Sequence, residues 1–409
     1  MASGQWTRPE ITDLSDFQAW INIVKGSMGL GLIAVTMATG KVGFVPAIVC
    51  VVLACLTQLW CLALMAKCRE KLEHGEIMES DPLRIVEAAQ ASGKLRDDPI
   101  WDSGMGYLDE VSKVAFGRRG QLVAVFVVLI TQVFVGVVYV STIGESVAGS
   151  FPAWSHNSVQ LTICIIICIM SLTNRLRRVA YLSAAAALTY LLIFACLVYE
   201  GTKHHRTTET TAVLWKGAGW DYGPICSVCM FLFAQFIVAD SVHREMCNKS
   251  HFVHVAAAAY ATTIVIAFGF VSVGYYCYGD TSEDLVYLNF PASSRRLCVV
   301  CITIILLVSI VLQAVPVFMF LEAQLPGVHH AVINISVMCS IVFIAHLLPN
   351  VMTVLGYINA ATTATGCYLL PSVCFLRLSN RYELWERVVT VVCVLLGLLG
   401  AVASFASAS

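Results

Sequence analysis

Apolar and polar positions along this chain change over on the scale of whole bilayer crossings. Apolar stretches of about 17–25 residues, the length that spans a membrane, fall at 18–40, 43–66, 120–148, 158–173, 179–200, 223–242, 253–278, 297–321, 331–348, 350–376 and 388–406. They predict an all-α integral membrane protein of eleven transmembrane helices, a single domain over 18–406. Residues 1–17 (MASGQWTRPEITDLSDF) form a polar tail, and the run that follows carries Lys25 and several glycines. A permanent first span is therefore expected rather than a cleaved leader. The longest polar stretch is 67–119, opening with CREKLEHGEIMESDPL and closing with YLDEVSKVAFGRRG. Inside it Leu108, Val111 and Val114 recur at helical spacing, which predicts a short helix over 107–116 against the membrane. Two further segments, 201–222 and 279–296, make sizeable loops without an N-x-[ST] sequon.

Charge orients the spans. Eighteen of the 25 Lys and Arg fall on the side of the amino terminus and six on the other, with Arg175, Arg177 and Arg178 the sharpest local cluster. Positive residues stay inside, so the tail and the 67–119 loop are expected in the cytosol. Only 12% of the residues are charged and 58% are hydrophobic, with a mean hydropathy of +0.79. A soluble fold would lack the polar surface to cover that much apolar chain. The net charge of -1 argues against a nucleic-acid surface, and the hydrophobicity excludes disorder. The 17 cysteines lie singly along apolar runs, Cys50, Cys55, Cys61, Cys164, Cys168, Cys196, Cys301, Cys339 and Cys393 among them. They read as small buried hydrophobes, and neither a metal site nor a cofactor is expected.

Candidate chemistry lies where spans carry glycine or polar groups. Lys25-Gly26-Ser27-Met28-Gly29-Leu30-Gly31 places three glycines in the middle of span 1. An unwound turn there offers free backbone N–H groups and the positive end of a half-helix to a carboxylate, and free carbonyls to an ammonium group. Close helix packing through small residues explains the same glycines. Span 3 carries Thr131, Gln132, Tyr139, Ser141, Thr142 and Glu145, which also suit interhelical hydrogen bonds. In span 6, Gln235 stands mid-span and Asp240 toward the inner end. An acid within a span is a functional candidate by default. Asp240, Glu145 and His243 are the candidates for a coupling proton, and Ser309 in span 8 the candidate hydroxyl for sodium.

At these residues the chain resembles the amino acid/auxin permease family, in particular its proton-coupled, lysosomal and vacuolar amino-acid transporter branch. The likeness runs almost end to end: NIVKGSMGLGLI in span 1, Tyr107 to Gly117 before span 3, Thr131-Gln132, Val138-Tyr139 and Glu145 within it. YYCYGD at 275–280, LNFP at 288–291, Pro316, Leu348-Pro349 and Leu355-Gly356 follow in order. The resemblance implies the inverted five-plus-five repeat of the amino acid/polyamine/organocation superfamily, with spans 1 and 6 broken and span 11 appended. It implies a secondary active transporter of amino acids, small neutral ones foremost, working by alternating access with a proton rather than sodium. Gly26, Ser27, Gly29 and Gly31 would contact the substrate through the main chain. Phe231, Phe233 and Gln235 would flank its side chain, and Tyr139 would gate it. Plasma membrane and lysosomal or vacuolar membrane are both compatible.

The chain departs from the pattern in span 6. Family members carry Phe-x-Phe-Glu-Gly, and here Phe231-Leu232-Phe233-Ala234-Gln235 lacks the acid and the hinge glycine. Thr36, Ser241 and Asn22 replace the family's two prolines and a histidine. Span 6 must unwind without glycine, and Gln235 cannot titrate. A membrane amino-acid sensor on the same fold, signalling through the 67–119 loop, is the alternative reading. An intramembrane enzyme is disfavoured because HExxH and GxSxG are absent.

Overall fold

The computed structural model describes residues 14–73, 107–172, 176–207, 213–217, 219–234, 236–283, 285–348, 351–378 and 383–408. Most of the 67–119 loop, Gln235 and Arg175 lie outside the described residues. Helices dominate, and the described residues form no strand beyond one isolated bridge between Leu14 and Met246.

The chain starts with a helix pair. Helix α1 (Asp16–Ser27) is closed at its start by a reciprocal cap, in which Ser15 Oγ accepts from the Gln18 amide while Gln18 Oε1 accepts from the Ser15 amide. Met28 and Gly29 leave helical geometry, and α2 (Leu30–Val42) continues at 44° to α1. Gly43 then turns the chain with φ 89°, a left-handed backbone that favours glycine. Helices α3 (Phe44–Glu73), α4 (Tyr107–Ser150), α5 (His156–Ser171) and α6 (Leu176–Thr207) follow. The expected helix over 107–116 is present at the start of α4, set off from the helix that follows by the non-helical backbone of Gly117, whose φ is 68°. The third and second apolar runs thus sit within helices longer than the membrane requires, and α3 uses its extra turns to bring Lys67 within 2.5 Å of Glu386.

A second broken pair opens the other half. Helix α7 (Gly223–Leu232) ends at Phe233, and α8 (Phe236–Glu245) resumes three residues later. After them come α9 (Phe252–Tyr278), α10 (Ala292–Gln324) and α11 (His330–Leu347). Helix α12 (Val351–Ile358) passes through a π-helical stretch, Asn359–Leu369, into α13 (Leu370–Leu378), and α14 (Leu384–Ala408) closes the described chain. Among the described residues, seven helices are long and apolar enough to cross a membrane, or eight when the bent α1–α2 pair is one span. At 16 residues α5 is apolar but shorter. The chain is therefore a multi-pass membrane protein, while the eleven-span reading goes beyond this length-and-composition measure.

Packing brings the broken pairs face to face. Helix α2 lies on α7, α1 lies on α8 and α9, and α10 runs along α4. Large apolar side chains such as Leu161, Ile165, Val265, Val388 and Leu399 point outward, as a lipid-facing surface requires. The 201–222 segment packs on α9 and the loop after it, with Lys216 paired to Asp280 and the Val213 amide donating to Tyr275 of α9.

Candidate functional site

The break in span 1 falls at Met28-Gly29, inside the predicted glycine cluster. Gly29 has φ −115° and ψ −160°, an extended backbone open to any residue. A β-carbon would also fit there, in ordinary contact with its neighbours. A β-carbon on Gly29 would sit 3.4 Å from the hydroxyl of Tyr139, so the two groups are already in near contact. The other polar groups of the turn are used locally. Ser27 Oγ donates to the Ile23 carbonyl at 3.2 Å, and the Gly29 amide donates to the Ser27 carbonyl at 2.9 Å. Gly31 has a packing role, because a β-carbon there would lie 3.0 Å from the Leu232 backbone. Of the two readings of this cluster, backbone exposure and close packing, Gly31 fits the second; Gly29 stands at the break, with its amide on Ser27 and its carbonyl accepting from the Leu32 amide at 3.2 Å.

Span 6 breaks without glycine. Phe233 leaves the helix at φ −102°, ψ 7°, and the turn tightens as the Ala234 amide reaches the Phe231 carbonyl at 3.2 Å. Non-glycine residues adopt this bridge region, so the missing hinge residue does not prevent the interruption. Phe231 and Phe233 part company here. Phe231 meets the Tyr139 ring edge-on at 6.4 Å, whereas Phe233 packs edge-on against Tyr260 of α9 at 5.7 Å and takes no part in the cavity beside it.

Tyr139 is the meeting point. It is buried on α4, its hydroxyl at Gly29 and its ring on Phe231, and Gln313 of α10 lines the same cavity as it does. One side chain thus touches both broken spans and shares a cavity with span 8. Beside it lies a small cavity with Thr131, Gln132 and Gln313 as polar wall and Val135, Phe231, Ala234 and Val238 as apolar wall. It has room for about one water molecule. An amino acid enters only if these walls move apart. Gln313 belongs to the site as fully as Tyr139 does, and its signal in the sequence is a lone amide in the apolar run of span 8.

Ile237 lines both this cavity and a second one toward the carboxyl-terminal end of α8. The second is lined by Leu108, Asp109, Val128, Phe236 and Asp240. Asp240 is buried, and its Oδ2 accepts a hydrogen bond from the Leu108 amide at 3.2 Å. That amide belongs to the first turn of α4, where a carboxylate is favoured by the helix dipole. Asp109, which motif reading passed over, is buried beside it. The other coupling candidates lie apart. His243 stacks on Phe252 at 4.0 Å with Arg69 Nη1 3.2 Å from its Nε2. Burial, and then the Arg69 charge, lower its pKa from 6.5 to about 3. Glu145 is exposed near the carboxyl-terminal end of α4, and Ser309 bonds back to the Ile305 carbonyl of its own helix at 2.9 Å.

The geometry has counterparts among known proteins. Amino acid transporter ANT1 of Arabidopsis thaliana is 20% identical over 95% of this chain and 90% of its own length. Amino acid transporter AVT1J of the same plant is 20% identical over 87% of this chain and 81% of its own. Among solved structures, the nucleobase-cation-symport transporter Mhp1, closed with bromovinylhydantoin bound, aligns with a TM-score of 0.59 at 11% identity, covering 98% of this chain and 92% of its own. MhsT in complex with L-phenylalanine aligns over 100% of both chains with a TM-score of 0.55 at 11% identity. Both structures share the fold with this chain and, at such identity, nothing finer. The profile described as "Transmembrane amino acid transporter protein" matches residues 12–409. With that match over nearly the whole length, the resemblance first drawn from the glycine cluster and Tyr139 becomes an assignment: the chain belongs to the transmembrane amino acid transporter family, the amino acid/auxin permeases.

Proposed function

We propose that the chain is a secondary active transporter that moves small neutral amino acids with a proton by alternating access. The observation that carries this reading is Tyr139, which joins the Gly29 break of span 1 to the Phe231 break of span 6 and shares a cavity with Gln313 of span 8. In this reading eleven spans form two inverted repeats, 1–5 and 6–10, with the amino terminus in the cytosol. The helices given above occupy each of the eleven apolar runs. The main chain of Gly26, Ser27 and Gly29 receives the substrate's charged ends, while Phe231 and Gln235 border its side chain. A small cavity favours a small side chain. Asp240 carries the coupling proton, since it is a buried acid lining the second cavity, which shares Ile237 with the first.

The test is uptake of labelled amino acids into proteoliposomes holding the purified protein, with an imposed pH gradient, a sodium gradient or neither. Accumulation driven by acid on the source side supports the reading. Accumulation with sodium alone overturns the proton. The Glu-Gly missing from span 6 favours a second reading, a sensor that binds but does not carry. Binding seen as a rise in thermal stability, with no uptake under any gradient, would establish that one instead.

A further inference from the structure

Away from the Tyr139 cavity, three thiols meet between α5 and α11. Cys164 and Cys168 stand one turn apart on α5, and Cys339 faces them from α11. Their sulfurs all lie within 4.8 Å of one another, with Cys164 Sγ and Cys339 Sγ 3.9 Å apart. Two hydrogen bonds hold the helices in register on either side of this cluster. His346 Nδ1 and Gln160 Oε1 are 2.9 Å apart toward one end, and Asn334 Nδ2 donates to the Ser171 carbonyl at 3.0 Å toward the other. The helices run antiparallel, and the thiols occupy the stretch between the two clamps.

A centre about 2.3 Å from three thiolate sulfurs, an ordinary metal–sulfur length, sets those sulfurs about 4 Å apart when all four atoms are coplanar. The observed spacing therefore needs little rearrangement to hold a soft, thiophilic centre. Depth then selects among such centres by charge. Cys339 lies midway along α11, a helix long and apolar enough to cross a membrane, and its side chain is exposed beside exposed Ile335. With α5 and α11 as spans of the proposed transporter, that exposure faces lipid. A charged complex is costly at such a place. Three thiolates leave one net negative charge on a zinc ion and two on a cuprous ion, but none on trivalent arsenic.

We propose that Cys164, Cys168 and Cys339 form a binding site for a trivalent arsenical, which joins α5 to α11. Arsenous acid is uncharged and can approach from the bilayer. Its three As–O bonds and the three S–H bonds break, three As–S bonds form, and three waters leave. No electron changes hands and no net charge develops. Sequence spacing conceals the site, because its third ligand lies far along the chain from the other two.

The test uses the reduced full-length protein in lipid nanodiscs, treated with arsenite and desalted. Arsenic per chain is measured by mass spectrometry and its coordination by X-ray absorption. The expected result is an arsenic bound by three sulfurs, with the content falling by one equivalent in Cys339→Ala. Cys168→Ser should lose the same equivalent, and its separate helix guards against a folding defect in either variant. Arsenite should also raise the melting temperature of the unaltered chain and of neither variant. Unchanged arsenic content and sulfur count in both variants would overturn the site. Zinc retained in equal amount and lost in the same variants would overturn the charge argument. These readouts do not depend on uptake, so failure of the transporter reading leaves them distinguishable.

Discussion

A tyrosine that touches two broken helices at once makes the site sensitive to single atoms. Removing the Tyr139 hydroxyl deletes the group that lies over Gly29 and a polar atom beside Gln313 in the cavity, while the ring can stay on Phe231. A net hydrogen bond contributes about 0.5–1.5 kcal/mol, so Tyr139→Phe is expected to weaken apparent substrate affinity by about 2–10-fold with the melting temperature little changed. Gly29→Val should be more severe. Its backbone tolerates valine, but the branched carbons have only the space against the Tyr139 hydroxyl, 3.4 Å from where the β-carbon falls. Loss of substrate binding with folded protein retained is expected, and retained binding in a thermal-shift titration would remove Gly29 from the site. His243 obeys different physics. Its pKa falls from 6.5 to about 3 through burial and then the charge of Arg69, with Lys249 also near. The unfolded chain therefore takes up the proton first as pH drops. The stability that neutral His243 contributes is complete above about pH 6.5 and is lost progressively toward pH 3. His243→Gln should flatten acid unfolding between those limits, followed by melting temperature against pH, and leave the pH dependence of uptake near pH 5–7 unaltered.

At the scale of elements, the two breaks were not equally legible. Three glycines within seven residues left a break and close packing both open in span 1, and sorting Gly29 from Gly31 required knowing that Leu232 lies against the latter. The break in span 6 has no glycine, and its place came only from the family resemblance. Phe233 makes the turn with an ordinary backbone, which leaves no compositional trace. Phe231 and Phe233 enter the family motif together, yet two residues of separation is about 200° around a helix and sends their rings to opposite sides, one to Tyr139 and the other to Tyr260. Helix 107–116 was legible from its apolar spacing, and Gly117, at φ 68° and ψ −160°, is what sets it off from the helix after it. That helix has a consequence for Asp240, which receives the Leu108 amide from its first turn. Asp240→Asn keeps an acceptor oxygen for Leu108 and removes only the charge. The expected outcome is uptake whose pH dependence is flattened at nearly normal protein stability. A pH profile identical to that of the unaltered chain would show that the proton travels elsewhere.

Across the whole molecule, helices fall on the apolar stretches, although α3, α4 and α6 run well beyond them, because crossing lipid constrains backbone and side chains together. Orientation rests on a weaker signal, the distribution of Lys and Arg, which acts through insertion and leaves no mark on the folded contacts. Yet the fold supplies its own probe. Only two of the seventeen cysteines are exposed, Cys339 within α11 and Cys247 in the turn after α8. A charged maleimide cannot enter lipid to reach Cys339, so Cys247 should be its main target. Its side chain lies beside the Leu14 carbonyl, which accepts its backbone amide at 3.1 Å, so both mark the same face as the amino-terminal tail. With that face in the cytosol, labelling should be near background on intact cells, appear after permeabilisation, and vanish in Cys247→Ser. Strong labelling of intact cells would invert the topology. It would then place the Asp240 cavity toward the outer or lumenal side, and the direction in which a proton gradient drives uptake would reverse with it.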